Sequence, residues 1–342
     1  MEQQHMFTNR MIRNLLVPVV LEQILNSIMG TADTMMVSNV GSAALSAVSL
    51  VDSINVLLIQ AFSALAAGGA IVCAQYIGQR NYEKANMSAR QVLFIITAIS
   101  VVVSAVCLIF QKPLLRLIFG AVDADVMRAS EIYFFFTALS FPFIAAYDSA
   151  ASIFRAQENT RGPMTISMVS NIMNIGGNAV LIWVFHLGVA GAAISTLVSR
   201  IFCAVVVLWQ LRKDRQPVVV KDYLKIRPDW SMIGRILGLG IPSGIENSMF
   251  QLGKLAIQST VSTLGTAAIA AQAMTNILEN LNGIAAIGVG VGLMTIVGQC
   301  LGAGRRDEAV YYIKKLCVIA EAVIIVSCLI VYVLVRPVTI LG

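Results

Sequence analysis

Apolar runs long enough to cross a lipid bilayer follow one another along this sequence, near residues 11–37, 43–77, 88–111, 130–155, 163–186, 188–211, 232–263, 266–300 and 310–335. A membrane-spanning α-helix needs about 20 such residues. None of the runs alternates with the period of two that a barrel strand requires, and barrel strands of about 10 residues are too short to account for them. Lipid offers the backbone no water, so each run must satisfy its own amides, which a helix does. The expected fold is an all-α polytopic membrane bundle of about nine transmembrane helices. Composition agrees: 58% of the 342 residues are apolar, 12% are charged, and the mean hydropathy is +0.81. Soluble domains average about 45–50% apolar and about 25% charged. A soluble enzyme, a nucleic-acid-binding module and a disordered chain are thereby excluded. No cleavable signal peptide is expected, because the first run is long and is not followed by a cleavage-like sequence.

The net charge is +6, from 24 basic and 18 acidic residues. A basic surplus can mark a nucleic-acid partner, but here the cations sort by side. With the N-terminus placed in the cytoplasm, 18 of them fall in inner segments, seven in the stretch 212–235 (Arg212, Lys213, Arg215, Lys221, Lys225, Arg227 and Arg235). Four fall outside (Lys112, Arg116, Arg128 and Arg336), and Arg200 and Lys254 lie within runs. Such a split is what the positive-inside rule produces. It predicts a multi-pass cell-membrane protein with a cytoplasmic N-terminus and no nucleic-acid partner. Six cysteines stand singly in apolar segments without CxxC or Cys/His spacing, so neither a metal nor a disulfide is expected.

The sequence also repeats itself at an offset of 224 residues. Pro18 and Glu22 align with Pro242 and Glu246; Gly41, Ala43, Ala44 and Ala47 with Gly265, Ala267, Ala268 and Ala271; Gln75, Gly78 and Ala85 with Gln299, Gly302 and Ala309. About fifteen identities fall in 68 gapless positions. Six spans separate the copies, an even number, so both have the same orientation. Parallel repeats of this kind are a transporter architecture with the site between the halves. The expected organisation is a six-helix N-terminal lobe over 1–211, a cytoplasmic linker over 212–231, and the first three helices of a repeated C-terminal lobe over 232–342. A complete second copy would run about 93 residues further, so the sequence is expected to be incomplete.

Apart from Glu131 at the edge of the fourth run, seven acidic residues lie inside the runs: Glu22, Asp33, Asp52, Asp148, Glu246, Glu279 and Glu321. Ionisable groups in a bilayer are costly and face a cavity or a partner. In the first run Glu22, Asn26 and Asp33 share a helix face, with the two carboxylates about 16 Å apart along the axis. The fifth run repeats the stripe with Ser167, Asn171, Asn174 and Asn178. The seventh has Asn247, Gln251, Lys254 and Gln258, and the eighth has Gln272, Asn276, Glu279 and Gly283. Two readings stand for the amides: a shared water-accessible interior, or polar glue between helices at about 0.6 kcal/mol per contact. The carboxylates favour the interior, since packing does not require a charge. For Asp52, Asp148 and Glu321 an ion pair or a helix end would suffice, and Lys254 suits the neutralisation of a nearby glutamate. Pro18 and Pro242 permit kinks. The glycines of the second and eighth runs allow close approach or bending.

In order, the stretches GTADTMMVSNVGSAALSAVSL, QYIGQRNYEKA, FRAQENTRGPM, NIMNIGGNAVLIWVFHLGVAGAAISTLVSR and GIPSGIENSMFQLGKL resemble the multidrug and toxic compound extrusion (MATE) family. The resemblance covers the chain from about residue 11. It implies a twelve-helix exporter of two six-helix lobes, not an enzyme, that exchanges organic, often cationic drugs for sodium ions or protons by alternating access. It implies small organic substrates, a monomer in the cell membrane, and no cofactor beyond the coupling ion. The family's helix 1 carboxylate matches Asp33, and its helix 5 and 6 partners in the N-lobe cation site match Asn174, Asn178 and Thr196. One branch has Asp where this chain has Asn178, which removes a negative charge and speaks against a purely proton-driven relay. Another branch has a helix 7 Glu where this chain has Phe250, so Glu246 is not its direct counterpart. Glu22, Asn26, Glu246, Gln251, Asn276 and Glu279 are the expected lining of the substrate cavity. A lipid-linked precursor flippase on the same scaffold is the alternative, although, once the residues near the run ends that belong to the inner segments are set aside, acids outnumber bases within the runs seven to two. A metal-dependent transferase has only Asp123 and Asp125, without an accompanying acidic cluster.

Overall fold

A computed structural model describes residues 5–119, 123–213, 216–221, 223, 226–262 and 266–341; several side chains between 255 and 285, and those of 334–341, lie outside the description. The described residues are helical and contain no strand. Helix α1 runs over Asn9–Ser38, α2 over Ser42–Gly78, α3 over Tyr82–Ile109, and a short α4 over Gln111–Phe119. Next come α5 (Ala124–Leu139), α6 (Phe141–Ala156) and α7 (Arg161–Ala179), which continues into a π-helical turn at Val180–Val184. The rest is α8 (Gly188–Leu211), α9 (Trp230–Ser262), α10 (Thr266–Gly302) and α11 (Arg306–Leu341).

Among the described residues seven of these helices are long and apolar enough to cross a membrane, and the pair α5–α6 is so when taken together, which makes up to eight. The fourth apolar run is thus a helix pair bent by 42° rather than one rod. Pro142 explains the break, since a residue without N–H is tolerated in the first turn of α6 but not in the middle of a continuous helix. The ninth expected crossing, α9, has 33 residues, enough for about 50 Å. It lacks a continuous stretch as apolar as those of the seven, because Asn247, Gln251 and Lys254 interrupt it. Pro18 does not interrupt α1.

Helix α2 is the axis of the first half, packed by α3, α5 and α6 around Phe62, Phe134, Phe141 and Phe154. The rings of Phe62 and Phe141 meet edge to face at 6.1 Å. The segment after α8 is stitched to this half. Val218 N donates to Gln157 Oε1 at 2.9 Å, Val219 N to Asn86 Oδ1 at 2.7 Å, and Gln91 Nε2 to Arg227 O at 2.8 Å. Tyr223 OH donates to Leu208 O, and burial pushes that hydroxyl up to about 12.

The 224-residue repeat is visible as geometry. Helix α2 ends with Asn81 N donating to Tyr76 O at 3.0 Å, and α10 ends with Arg305 N donating to Cys300 O at 2.9 Å. Each is the 6→1 bond of a Schellman motif. The left-handed residue between is Arg80 (φ 58°) in one copy and Gly304 (φ 74°) in the other, again 224 apart.

The two copies also meet across a near two-fold relation. A Cβ on Gly78 would lie 2.1 Å from Gln299 O, and a Cβ on Gly302 would lie 2.0 Å from Gln75 O. The same exchange relates Gly68 against Gly240 to Gly292 against Leu16, and Gly288 against Val20 to Gly244 against Ala64. These contacts use the first halves of α1 and α9 and the last halves of α2 and α10. Thr295 Oγ1 and Gln299 Nε2 of α10 add donors to the terminal carbonyls of α6, Arg155 O at 3.1 Å and Ala156 O at 2.9 Å. Arg235 Nη1 donates to Tyr76 OH at 2.6 Å, and Tyr312 OH both donates to and accepts from the backbone of Phe7. Further along α1 and α9, Gly30 and Gly253 have nothing within 4 Å. Among the described residues the contacts between the halves thus gather at one end, and further along α1 and α9 the side chains of Ile28, Met35, Met249 and Phe250 are exposed.

Gly302→Ala should lower the thermal unfolding midpoint in detergent, in line with about 1–3 kcal/mol for an overpacked contact. Gly290→Ala, where the added Cβ meets nothing within 4 Å, should leave the midpoint level or slightly raised. Equal effects of the two would show that the crossing is not tight.

Candidate functional site

Helix α7 presents Asn171, Asn174 and Asn178 on one face toward α1 and α8, at spacings of three and four. Gly177 lets α8 come close enough to be read, since a Cβ there would fall 2.4 Å from Ser195 Oγ. Ser195 Oγ in turn donates to Asn174 O at 2.8 Å. With the helices fixed in this way, Asn178 Nδ2 donates to Asp33 Oδ1 at 2.6 Å. Asn174 serves the same group. With its amide one way round, Nδ2 donates to Thr196 Oγ1 at 3.3 Å. Turned over, Nδ2 lies 3.0 Å from Asp33 Oδ1 and Oδ1 lies 3.3 Å from the Thr196 backbone nitrogen. Asp33, Asn174, Asn178 and Thr196, from three helices, are thus brought together.

The cavity beside them has a volume near 90 Å³ and is lined by Asp33, Asn178 and Thr196, together with Asp52 of α2 and Tyr133 of α5. Drug-sized ligands occupy about 300–1,000 Å³, whereas one water takes about 30 Å³. The space suits a small cation with a few waters, not an organic substrate. Asn178 Oδ1 is buried without a hydrogen-bond partner, a state that costs about 1–3 kcal/mol unless something fills it. Asp52 and Tyr133 could not be tied to this site from the sequence. Asp52 carried only the signal of a carboxylate in an apolar run, and Tyr133 carried none.

The remaining candidates divide. Glu22, expected at the substrate cavity, is 3% exposed and held in an ion pair. Arg155 Nη2 donates to Glu22 Oε1 at 3.1 Å and to Oε2 at 3.0 Å, and Tyr147 OH lies 3.2 Å from both Glu22 Oε1 and Pro163 O. This carboxylate ties α1 to α6 and is neutralised by the protein itself. Asn26 Oδ1 accepts from Ser167 Oγ at 3.0 Å and Asn171 Nδ2 at 2.9 Å, so part of the amide stripe is glue between α1 and α7. Lys254 does neutralise a glutamate, Glu279, at 2.8 Å, while Glu246 is exposed. Gln251 is half-buried on α9, and the Asn276 side chain lies outside the described residues. Among the described residues no group of three or more His, Cys, Asp and Glu side chains could hold a metal by itself. At the closed end, burial holds the loop carboxyl of Glu158 above the usual carboxylate range, partly offset by a hydrogen bond with Gln299.

A family model described as MatE matches residues 18–180 and again 242–341, so its two matches begin 224 residues apart. The chain belongs to the MatE family. Its members are membrane transporters, not enzymes, and the apolar helices make this chain a membrane protein. The chain is 27% identical over 302 residues to a probable multidrug resistance protein, YoeA, of Bacillus subtilis (strain 168), covering 86% of this chain and 64% of that protein. It is 24% identical over 308 residues to a probable multidrug resistance protein, NorM, of Thermotoga maritima, covering 88% and 65%. The chain thus spans a little under two thirds of the length of these curated relatives. Among solved structures, an outward-facing multidrug resistance MATE family transporter of the MOP superfamily superposes with a TM-score of 0.88 at 19% identity, covering 94% of this chain and 71% of that one. That likeness establishes the fold.

If Glu22 is structural, its loss should be felt as a broken ion pair. Glu22→Gln and Arg155→Met should each destabilise the protein by about 3–5 kcal/mol, because each strands or weakens a buried partner. The double variant should lose less than the sum of the two. Additive losses in thermal unfolding would deny the coupling.

Proposed function

We propose that the protein is a monomeric cation-coupled antiporter. It would export organic, often cationic compounds across the cell membrane by alternating access, with sodium ions or protons as the coupling ion. The observation that carries this reading is Asp33: a carboxylate within a membrane helix, served by neutral amides and set beside a cation-sized cavity. The names of the curated relatives support multidrug export as the activity.

Leaving Asp33 ionised and uncompensated in the membrane is costly, so a proton, a sodium ion or a cationic substrate will compete to neutralise it. Organic substrate is too large for this cavity and would occupy the cleft where α1 and α9 part, near Asn26, Glu246, Gln251, Asn276 and Glu279. Export follows if the coupling ion and the substrate favour opposite arrangements of the two halves. On this reading the lobes are residues 1–211 and 232–342, joined by 212–231. The basic residues gathered near the closed end support a cytoplasmic N-terminus, and on that reading the arrangement faces outward.

The test is dye efflux in everted vesicles with sodium and proton gradients imposed separately. Asp33→Asn should abolish coupled efflux under whichever gradient drives the wild type, at unchanged membrane insertion. Unaltered ion-driven efflux in that variant would remove Asp33 from the mechanism.

A further inference from the structure

The family resemblance places Asn178 where one branch has a second carboxylate, yet the cavity contains a second carboxylate from another helix. Asp52 of α2 lines it together with Asp33 of α1. Asp52 is held in place from two sides: its Oδ1 accepts from Asn55 Nδ2 at 3.1 Å and from Tyr133 OH at 3.2 Å. Asn55 is itself 3% exposed, so this support is internal. Among the described residues no lysine or arginine lines the cavity. Arg200, the cation carried within α8, donates to Ser140 Oγ at 2.7 Å where α5 meets α6, outside the cavity lining but within electrostatic reach of Asp52 and Asp33, so it offsets part of their charge without an ion pair to either.

The second observation is Asn178 itself. Its Nδ2 is committed to Asp33, while its Oδ1 has no partner although the residue is 1% exposed and lines the same cavity. A proton would bond to a single carboxylate oxygen and leave the amide oxygen unserved, whereas a sodium ion of the same charge is shared by several oxygens at once. A hard metal cation takes carboxylate, carbonyl and hydroxyl oxygens together. The cavity offers all three kinds, in Asp33 and Asp52, in Asn178 Oδ1, and in Thr196 Oγ1.

We propose that Asp52 is the second anionic ligand of a sodium ion bound between α1, α2 and α7, with Asn178 Oδ1 as a neutral ligand and Tyr133 as the residue that positions Asp52. This rests on the cation-coupled reading and specifies its ion and its ligands. The negative charge missing at position 178 is supplied from the opposite wall, by α2.

Thermal unfolding of the purified full chain in detergent, with KCl replaced stepwise by NaCl at constant ionic strength, tests it. The wild type should be stabilised by sodium with a saturable midpoint. Asp52→Asn should need at least tenfold more sodium, Tyr133→Phe a few-fold more, and Asp33→Asn should show no sodium response. Asp52→Glu, which keeps the charge, should retain a response stronger than that of Asp52→Asn. Should Asp52→Asn fail to fold, Tyr133→Phe and Asp52→Glu still decide the matter, because unshifted midpoints in both would overturn the assignment. A sodium midpoint in Asp52→Asn equal to wild type, with the Asp33→Asn response lost, would overturn the role of Asp52 and leave the coupled-export reading standing. Absence of any sodium response in the wild type would overturn the sodium site, while proton-driven efflux through Asp33 would be judged by the vesicle assay alone.

Discussion

Gly78 and Gly302 let α2 and α10 approach until a Cβ on either would stand 2.1 Å or 2.0 Å from the other copy's carbonyl oxygen. Backbone against backbone at this crossing is the constraint from which the rest follows. It sets the two copies in register, because each glycine faces the counterpart of its own neighbour. It brings Thr295 and Gln299 to the open carbonyls at the end of α6, groups that a helix terminus otherwise leaves to water. It also gathers the described contacts between the copies at one end, while Ile28 of α1 and Met249 of α9 are exposed toward the other. A joint built from small residues and a few hydrogen bonds holds firmly without the interlocked bulk that would prevent it from opening.

The two carboxylates of α1 show how one helix separates structure from exchange. Glu22 is provided with a permanent cation, Arg155, and a tyrosine hydroxyl. Asp33, eleven residues on, receives amide N–H groups, which orient the carboxylate without cancelling its charge. A buried charge paired within the protein has no reason to exchange its partner, and removing either half is expensive. On the proposed reading, a buried charge held by amides, with a cation only at a distance, is complete when something mobile arrives. That difference in neutralisation, rather than depth in the membrane, would then distinguish the group that holds α1 in place from the one that couples to an ion.

Much of this was legible in the sequence, and the remainder was hidden for definite reasons. Apolar length located the helices, since lipid leaves the backbone no alternative; the runs at 11–37 and 43–77 fall within a residue or two of α1 and α2. The third run began late, at 88 rather than at Tyr82, because the polar first turn of α3 has no hydropathy signal. The bend between α5 and α6 has no hydropathy signal because both arms are similarly apolar, and only Pro142 marks it. Asp33, Asn174, Asn178 and Thr196 come together as the family resemblance implies. What spacing could not reveal was who neutralises whom. Arg155 lies 133 residues from Glu22, and Tyr133 lies 81 from Asp52, so those pairings exist only after the helices have packed.

The central claim is that the two repeats rock about the glycine crossing, in opposite senses at their two ends, under the control of the group at Asp33. Pulsed electron spin resonance on a chain lacking the exposed Cys317 and Cys328 would measure this directly. One spin-label pair would sit at Ile28 and Met249, on the parted ends of α1 and α9, and another at Glu83 and Asp307, equivalent positions beyond the crossing. Exchanging the coupling ion for a cationic substrate should shorten the first distance while lengthening the second, and Asp33→Asn should remove the ion dependence of both. Distances that change in the same direction, or that ignore ion and substrate alike, would contradict the account.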